Sequence, residues 1–386
     1  MEKENIDVKS IKVKLDKTDF DVVIIGGGLA GLVNAILLNR KNIAVLLIEK
    51  REYPFHRVCG EYISNEVRPF LERNGMMPDD IKPSSISKFQ LSSLEGKTKT
   101  LDLDLGGFGI SRYSLDHHLV ELAKSEGVMV HHDQVDDVSN NDKGHIIQTK
   151  KGNVFIAAIV IGAFGKRSTI DKHLKRSFIE KSSPYVGVKY HIRHDYPKDL
   201  VALHNFPNGY CGINAIEDDK YNLCYLMHRN NLKKYKDIGL VEKNILSKNP
   251  QLAKIFNEAE FIFEKPEVIN EITFETKTQQ EKGIFMCGDA AGMITPLCGN
   301  GMAIAIHSAK ILSEHLTDYF ANGKDKSRLE EGYKKVWNQQ FKTRLAVGRT
   351  VQKLFGKGFQ SSFSLALLEV KPLANFIIRN THGKPI

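Results

Sequence analysis

Three glycines with the spacing G-x-G-x-x-G, at Gly26, Gly28 and Gly31, are the strongest sign of chemistry in the chain. The first permits a tight turn, the second lets backbone N–H groups approach a pyrophosphate, and the third lets a helix pack closely on a strand. Leu29 and Ala30 open the predicted helix, whose N-terminus adds unpaired N–H donors and a partial positive charge. The spacing therefore predicts a phosphate site for a dinucleotide at these five residues.

A carboxylate follows at the distance that such a site uses. The apolar run 44–48 ends at Glu49, 18 residues after Gly31, and Lys50 comes next. A carboxylate at that strand end accepts hydrogen bonds from the ribose hydroxyls of adenosine and repels a ribose 2′-phosphate. We therefore expect Glu49 and Lys50 at the adenosine end of FAD or NAD rather than NADP. The alternative is a glycine-rich turn with an ordinary surface glutamate, but the order of strand, turn, helix, strand and acid argues against it.

A second motif, Gly288-Asp289, precedes a glycine-rich loop and a helix predicted over 302–316. The loop contains Pro296, Gly299, Asn300 and Gly301. Here the chain resembles the large flavoprotein group that contains aromatic hydroxylases, geranylgeranyl reductases and flavin-dependent halogenases. The resemblance implies that Asp289 binds a ribityl hydroxyl of FAD, for which a carboxylate is a charge-assisted acceptor. It also implies that N–H groups of the loop reach the pyrimidine edge of the flavin. A strand, turn and helix with incidental glycines is the alternative.

The segment from Arg57 to Gly60 resembles the basic-x-Cys-Gly element of geranylgeranyl reductases. This resemblance implies that Arg57, Cys59 and Gly60 lie at the cofactor. It makes Cys59 a catalytic candidate that shapes the substrate cavity or assists proton delivery. Cys298 is a second candidate, approaching the flavin ring from the other loop. A buried, inert cysteine is the alternative reading of Cys59.

Two further segments match the same group. The pattern Arg112-x-x-x-Asp116-x-x-Leu119 implies that Arg112 lies against the cofactor, at its pyrophosphate. The alternative is a capping serine beside a surface arginine. The segment 206–212 loosely resembles the proline-glycine-tyrosine segment of geranylgeranyl reductases, which lies between substrate and flavin, so Tyr210 is the third catalytic candidate. Here the alternative is a β-turn with a core tyrosine.

The chain also departs from the group. Aromatic hydroxylases carry an Asp-Gly pair where this chain has Phe164-Gly165. We expect Gly165 at the cofactor, but the missing carboxylate puts a hydroxylase-type NADPH site in question, although Lys166 and Arg167 could meet phosphates. The halogenase tryptophan motif is absent as well, because the single tryptophan is Trp337. Halogenation is therefore not expected.

Composition narrows the class of protein. The chain has 386 residues, 41% of them hydrophobic, and a formal net charge of +9. This charge favours anionic ligands, but Lys and Arg are scattered, so nucleic-acid binding is not predicted. Five cysteines show no metal-ligand spacing, the histidines add no third ligand, and the odd count without a signal peptide indicates a reducing cytoplasm. No apolar run reaches transmembrane length, so we expect a cytoplasmic protein, with contact to a membrane surface or carrier protein left open.

The elements that must position these residues begin with a β-α-β unit, its helix near 29–40. A helix around 65–73, a hairpin over 88–105 and a helix over 114–126 follow, and strands at 128–132 and 155–161 come next. The stretch 184–228 alternates like an antiparallel sheet, and lysine-rich helices fill 231–258. We predict an α/β fold with a Rossmann-like FAD-binding domain of the glutathione-reductase or hydroxylase type (19–88, 105–180 and 276–330), an inserted antiparallel substrate domain (89–104 and 181–275) and a helical C-terminal region (331–386).

The predicted function is that of an FAD-dependent oxidoreductase similar to geranylgeranyl reductases. It would transfer hydride to or from a hydrophobic small molecule of the isoprenoid, lipid or polyketide type, with NAD(P)H or another compound as electron donor. Two alternatives stay open. One is a monooxygenase that uses a flavin hydroperoxide, and the other is a flavin-bound partner or membrane-associated protein without turnover.

Overall fold

The computed structural model describes residues 19–142, 144–323, 325–352 and 383–386. Residues 353–382, which form more than half of the predicted C-terminal helical region (331–386), therefore lie outside the described residues. Within the described ranges, no helix combines the length and apolar composition needed to cross a bilayer.

The strands belong to two sheets. In chain order the strands are β1 (Phe20–Ile25), β2 (Val45–Glu49), β3 (Tyr62–Ser64), β4 (Ser84–Ser92), β5 (Thr98–Gly109), β6 (Met129–His132), β7 (Val135–Asn141), β8 (Gly144–Thr149), β9 (Val154–Gly162), β10 (Tyr185–Arg193), β11 (Leu200–Phe206), β12 (Gly209–Ala215), β13 (Tyr221–His228), β14 (Glu260–Phe261), β15 (Glu267–Ile272), β16 (Gln280–Glu281) and β17 (Ile284–Met286).

The α-helices are α1 (Leu29–Asn39), α2 (Arg68–Arg73), α3 (Arg112–Ser125), α4 (Thr169–His173), α5 (Arg229–Tyr235), α6 (Ile238–Asn244), α7 (Pro250–Glu258), α8 (Gly301–Asn322) and α9 (Lys326–Gln352). Short 3₁₀ turns at Gly288–Ala290 and Pro296–Cys298 lie in the second glycine-rich motif.

The first sheet has the strand order β16-β17-β9-β1-β2-β6. Strand β1 lies between β2 and β9 and pairs in parallel with both. Strand β17 continues the parallel arrangement beyond β9. The run Val22–Ile25 is apolar throughout because helices cover both faces of a parallel sheet. This arrangement brings the carboxyl ends of β1, β2, β9 and β17 to one edge, where the glycine motifs follow.

The turn after β1 explains two of its glycines. Gly26 has a φ of +106°, a conformation that side chains rarely adopt. A Cβ on Gly31 would lie 2.0 Å from the carbonyl oxygen of Gly26, so only glycine lets α1 begin this close to the strand. Gly288 is equally confined, because a Cβ there would lie 2.9 Å from the Cβ of Ala30. The two glycine-rich motifs thus pack against each other.

The second sheet has the order β14-β10-β13-β12-β11-β4-β5-β3, and β15 pairs with β10. Its outer face forms an apolar core with α5, α6 and α7. Its inner face turns toward the loop at Pro296–Cys298, where Leu297 joins an apolar cluster of the sheet. The predicted antiparallel sheet is confirmed, with the exception that β11 and β4 run parallel.

The structure adds elements that the sequence pattern misses. The hairpin of β7 and β8 extends the first sheet, but β7 has the polar sequence VDDVSNN, which carries no alternating signal. The second sheet includes β3 and all of β4 and β5, and parts of these strands lie in ranges predicted for the FAD-binding domain. Helix α2 begins at Arg68 instead of residue 65, because residues 65–67 form a turn in which Asn65 donates to the carbonyl groups of Gly106 and Leu105.

Replacing Gly31 with alanine tests the close approach of α1 to the turn. We expect Gly31→Ala to lower the free energy of unfolding by about 1–3 kcal/mol, since the added carbon has no room, and to reduce the FAD content of the purified protein. Thermal unfolding and flavin absorbance measure both. Gly239→Ala in α6 is the control, because its nearest atom is the Asp237 carboxylate at 3.3 Å, well away from the turn. Wild-type stability and FAD content in Gly31→Ala would contradict the packing argument.

Candidate flavin site

Glu49 lies directly beside the glycine turn. Its Oε2 accepts the N–H of Gly27 at 2.8 Å, and its Oε1 accepts the N–H of Arg51 at 3.1 Å. The Tyr53 hydroxyl donates to the carbonyl of Gly27 at 2.5 Å. The carboxylate comes this close because β2 pairs in parallel with β1 and ends at the same edge of the sheet. Lys50, by contrast, is exposed at the end of β2.

Two arginines face the turn from the other side. The nearest atom to a Cβ placed on Gly28 is Nη2 of Arg112, at 3.5 Å, so the backbone of Gly28 is open to a ligand. Arg57 Nη2 lies 3.3 Å from both the Gly27 carbonyl and Glu49 Oε2. These guanidinium groups provide positive charge at the turn, where a pyrophosphate would lie.

Asp116 holds both guanidinium groups in place. It binds Nε and Nη2 of Arg112, each at 2.7 Å, and Nε of Arg57 at 3.0 Å. The Arg112 side chain is 12% exposed, so it is not a surface arginine. Ser111 does cap α3, as the alternative interpretation expects. The cap does not decide against a role for Arg112, because the arginine side chain is largely buried as well.

The second motif provides an acceptor and a helix terminus. Burial raises the pKa of Asp289, while Lys277, Arg112 and Lys166 act to lower it. No described residue donates a hydrogen bond to its carboxylate, which leaves the carboxylate available to a ligand hydroxyl. Gly299 has a φ of +62°, and α8 begins two residues later with no side-chain cap from the described residues. Its first N–H groups are therefore available to an acceptor atom.

The remaining predicted glycines are open. No heavy atom lies within 4 Å of a Cβ placed on Gly60 or on Gly165. A Cβ on Gly301 would meet only Ile294, at 3.7 Å. Pro296 is exposed at the start of the same loop, and Asn300 is buried behind it, where its side-chain amide donates to Glu66 at 3.3 Å. Together, a phosphate turn, a ribose acceptor and a ribityl acceptor fit the donors and acceptors of FAD.

Cys59 lies partly exposed between this region and the second sheet. Burial raises the pKa of its thiol, although Arg112, the Glu61 N–H and Lys189 act to lower it. Its neighbour Val58 lies over Gly187 of β10, where a Cβ would meet it at 3.4 Å. The thiol is therefore held as the protonated form at neutral pH, close to groups that stabilise its anion.

Tyr210 joins the second sheet to the glycine-rich loop at 296–301, which we call the flavin loop for its expected role. Its side chain is 3% exposed and packs in the apolar cluster with Leu226 and Leu297. Burial raises the pKa of its hydroxyl well above the usual value, and a hydrogen bond with the Leu297 backbone opposes this. Tyr210 is therefore both a core residue and a boundary between the sheet and the loop.

Three further residues that the sequence analysis considered for the flavin or for phosphates make contacts within the protein. The Cys298 sulfur lies 3.4 Å from the Thr295 hydroxyl and packs against Gly348 of α9. Lys166 donates to the carbonyl of Asn270, and Arg167 pairs with Glu271 at 2.7 Å. Both basic side chains therefore hold β15 instead of presenting free charge to a second phosphate.

Sequence reasoning missed several buried polar groups at the site. Lys277 donates to the carbonyl oxygens of Asp289 and Lys166, at 2.8 and 2.7 Å, and burial lowers its pKa to about 8. Glu61, the residue after Gly60, binds Lys189 and His191 of β10. In the sequence, the one sign that Glu61 belongs to the site is its position directly after Cys59 and Gly60. For Lys189 and His191 the sequence contains no such sign, because only side-chain contacts between distant parts of the folded chain bring them near Glu61.

Comparison with known proteins agrees with this geometry. The model of the FAD binding domain family matches residues 19–339. A digeranylgeranylglycerophospholipid reductase of Methanosarcina acetivorans is 28% identical over 345 residues, covering 84% of this chain and 81% of the relative.

Two solved structures share the fold. A flavin-dependent brominase superposes with a TM-score of 0.76 at 18% identity, covering 94% of this chain and 93% of the other. A geranylgeranyl bacteriochlorophyll reductase-like protein of Thermoplasma acidophilum has a TM-score of 0.74 at 18% identity, covering 95% and 92%.

Removing the Asp289 carboxylate tests the second half of the site. We expect Asp289→Ala to weaken FAD binding by about 10- to 100-fold, since a hydrogen bond to a charged group contributes about 1.5–3 kcal/mol. Titration of the apoprotein with FAD, followed by flavin fluorescence, measures the change. Asp137→Asn on exposed β7 is the control and should bind normally. Unchanged affinity in Asp289→Ala would remove this residue from the site.

Proposed function

Since the chain belongs to the FAD binding domain family and is an FAD-dependent oxidoreductase, we propose that it transfers hydride to or from a hydrophobic substrate of the isoprenoid or lipid type. The cofactor, when bound, supplies the hydride chemistry, and the protein supplies placement, water exclusion and protons. The named reductase relative supports a substrate with long unsaturated chains.

The apolar inner face of the second sheet carries this proposal. Together with neighbouring segments, this face forms an apolar cluster. The buried members of the cluster are Leu91, Leu203, Tyr210, Leu226, Ile272 and Leu297, and its partly buried members include Phe89, Leu101, Tyr185, Ile269, Phe274, Met293 and Val351. Incomplete burial of so many large apolar side chains leaves surface that an apolar ligand can cover. Because Leu297 belongs to the flavin loop, a ligand on this face would lie beside the cofactor.

A row of residues across the sheet gives this face its shape. Paired positions run from Lys189 through Cys224, Gly212 and Leu203 to Leu91. The middle positions, Cys224 and Gly212, are small and partly exposed. Lys189 is fully buried at one end of this row, and Leu203 and Leu91 are buried at the other. The partly exposed middle is therefore the part of this face that a ligand chain can cover.

Cys59 and Tyr210 have separate roles in this proposal. Cys59 carries a proton at neutral pH and lies near two cations, so it can give that proton to a carbon that receives hydride. Tyr210 binds the sheet to the flavin loop and excludes water from the apolar face. Saturating one double bond consumes one hydride and one proton, and both are accounted for in this arrangement.

The reaction itself can be tested with the FAD-loaded protein. Under anaerobic conditions, dithionite-reduced protein is mixed with a geranylgeranyl-chain phospholipid, and the lipid is analysed by mass spectrometry. We expect a mass increase of two hydrogens for each double bond reduced, with stoichiometric flavin oxidation. A parallel reaction with oxygen tests the monooxygenase alternative. Oxygen incorporation into the lipid, or no saturation with any isoprenoid, would overturn the reductase proposal.

Filling the open middle of the sheet tests where the substrate lies. We expect Gly212→Leu to raise KM about tenfold, equivalent to about 1.4 kcal/mol, because the new side chain occupies the space of the ligand. Gly212→Ala is the matched control. It adds the same Cβ, 3.2 Å from Leu203 and 3.5 Å from the Cys224 carbonyl, without the rest of the leucine side chain. Flavin absorbance should not change in either variant. An unchanged KM in Gly212→Leu would place the substrate elsewhere.

A further inference from the structure

Three ionisable side chains form a buried cluster between β10 of the second sheet and the start of α3. Glu61 Oε1 accepts from the Lys189 ammonium at 2.5 Å, and Oε2 contacts Nε2 of His191 at 2.7 Å. The side chains of Glu61 and Lys189 are fully buried, and that of His191 is 4% exposed. Oε1 also accepts the backbone N–H of Arg112 at 2.8 Å. One carboxylate thus ties β10 to the start of α3.

The cluster fixes the chain segment that carries Cys59. The Lys189 ammonium also donates to the carbonyl of Arg57 at 3.2 Å, two residues before Cys59. On the other side, Asn222 donates to the carbonyl of Gly60 at 2.9 Å. Glu61 itself has a φ of +50°, an uncommon conformation for a residue with a side chain. The segment is therefore held on both sides of Cys59.

The same charges surround the Cys59 sulfur. The groups that face it are Arg112 from α3, Lys189 from β10, Cys224 from β13 and the carboxylate and N–H of Glu61. Lys189 and Arg112 favour the thiolate, and the Glu61 carboxylate disfavours it. Burial acts to raise the pKa of Glu61, but Lys189 and His191 lower it to about 2, so Glu61 stays anionic.

Domain packing alone does not require such a cluster. Burying charges in a protein interior costs several kcal/mol for each ion, and an apolar replacement of similar volume is often neutral or stabilising. The opposite face of the same sheet is built mainly from apolar residues. A charged cluster beside Cys59 therefore calls for a role in the chemistry of that residue.

We propose that Glu61, Lys189 and His191 are positioning residues that hold the Cys59 segment against the second sheet and set the charge environment of its thiol for proton transfer to substrate. The proposal deepens the proposed function and rests on it for the identity of the proton acceptor. When Cys59 gives its proton to a substrate carbon, the S–H bond breaks and the π electron pair of the substrate double bond forms the new C–H bond, while hydride adds to the neighbouring carbon. Lys189 and Arg112 stabilise the resulting thiolate. Solvent then returns the proton.

The test measures thiolate formation at Cys59 in FAD-loaded protein without substrate. The probe is iodoacetamide, and mass spectrometry follows the peptide that contains Cys59 at a fixed pH. We expect Lys189→Met to slow alkylation about tenfold, which corresponds to one unit of pKa, because a cation beside the thiolate is lost. We expect Glu61→Gln to accelerate it about tenfold, because an anion is lost. Lys189→Arg should keep a rate near that of the wild type.

The opposite signs separate this role from simple structural support. If the cluster only held the segment in place, both variants would loosen it and both would accelerate alkylation. Equal signs, unchanged rates or a Cys59 that is never alkylated would therefore overturn the proposal. The control is Glu242→Gln, because Glu242 accepts from Tyr190 at 2.9 Å and Tyr225 at 2.7 Å on the opposite face of the sheet. It should lower stability without changing the alkylation rate.

Measuring turnover tests the proposed reaction separately from the alkylation rates. With an accepted substrate, Lys189→Met should lower kcat while KM stays constant, because the substrate contacts are intact. Normal turnover in Cys59→Ala would remove Cys59 from the proposed reaction, whereas the alkylation rates would still decide whether the cluster controls its thiol. The two proposals can thus fail independently.

Discussion

The Asp116 carboxylate is the interaction on which the site depends. Its side chain is 3% exposed and binds the guanidinium groups of Arg57 and Arg112. Breaking such a buried pair costs about 3–5 kcal/mol, because an uncompensated charge remains inside. Through this residue α3 aligns one arginine with Gly28 and another with Gly27. The second arginine begins the segment that leads to Cys59, so the phosphate turn and the cysteine share one support.

The two faces of the second sheet have different roles. The outer face packs on α5, α6 and α7 and stabilises the fold. The inner face meets the flavin loop through Tyr210 and Leu297 and leaves apolar surface partly covered. Because side chains alternate along a strand, one set of strands can serve both purposes.

Local sequence patterns predicted much of the fold. The apolar run before Gly26 and the spacing to Gly31 predicted β1, the turn and α1, and the structure confirms them. The alternating stretch after residue 184 predicted the antiparallel strands, which are also confirmed. Strand β7 was missed because its residues are polar and it is stabilised by pairing with β8. Strand β3 was missed because it is only three residues long.

Some residues of the candidate site could likewise be predicted from the sequence, and others could not. Gly26, Gly28, Gly31 and Glu49 could be recognised from the chain because the chemistry of a phosphate turn depends on the backbone, and backbone freedom is a property of residue type. The inward contacts of Lys189, His191 and Lys277 could not, since they depend on the fold and on no residue type or spacing that a known motif requires. The sequence by itself determined the cofactor class and the elements that form the candidate site. Only the tertiary structure decided which charges surround Cys59 and which face of the second sheet meets the flavin loop, because strand pairing and burial set those distances.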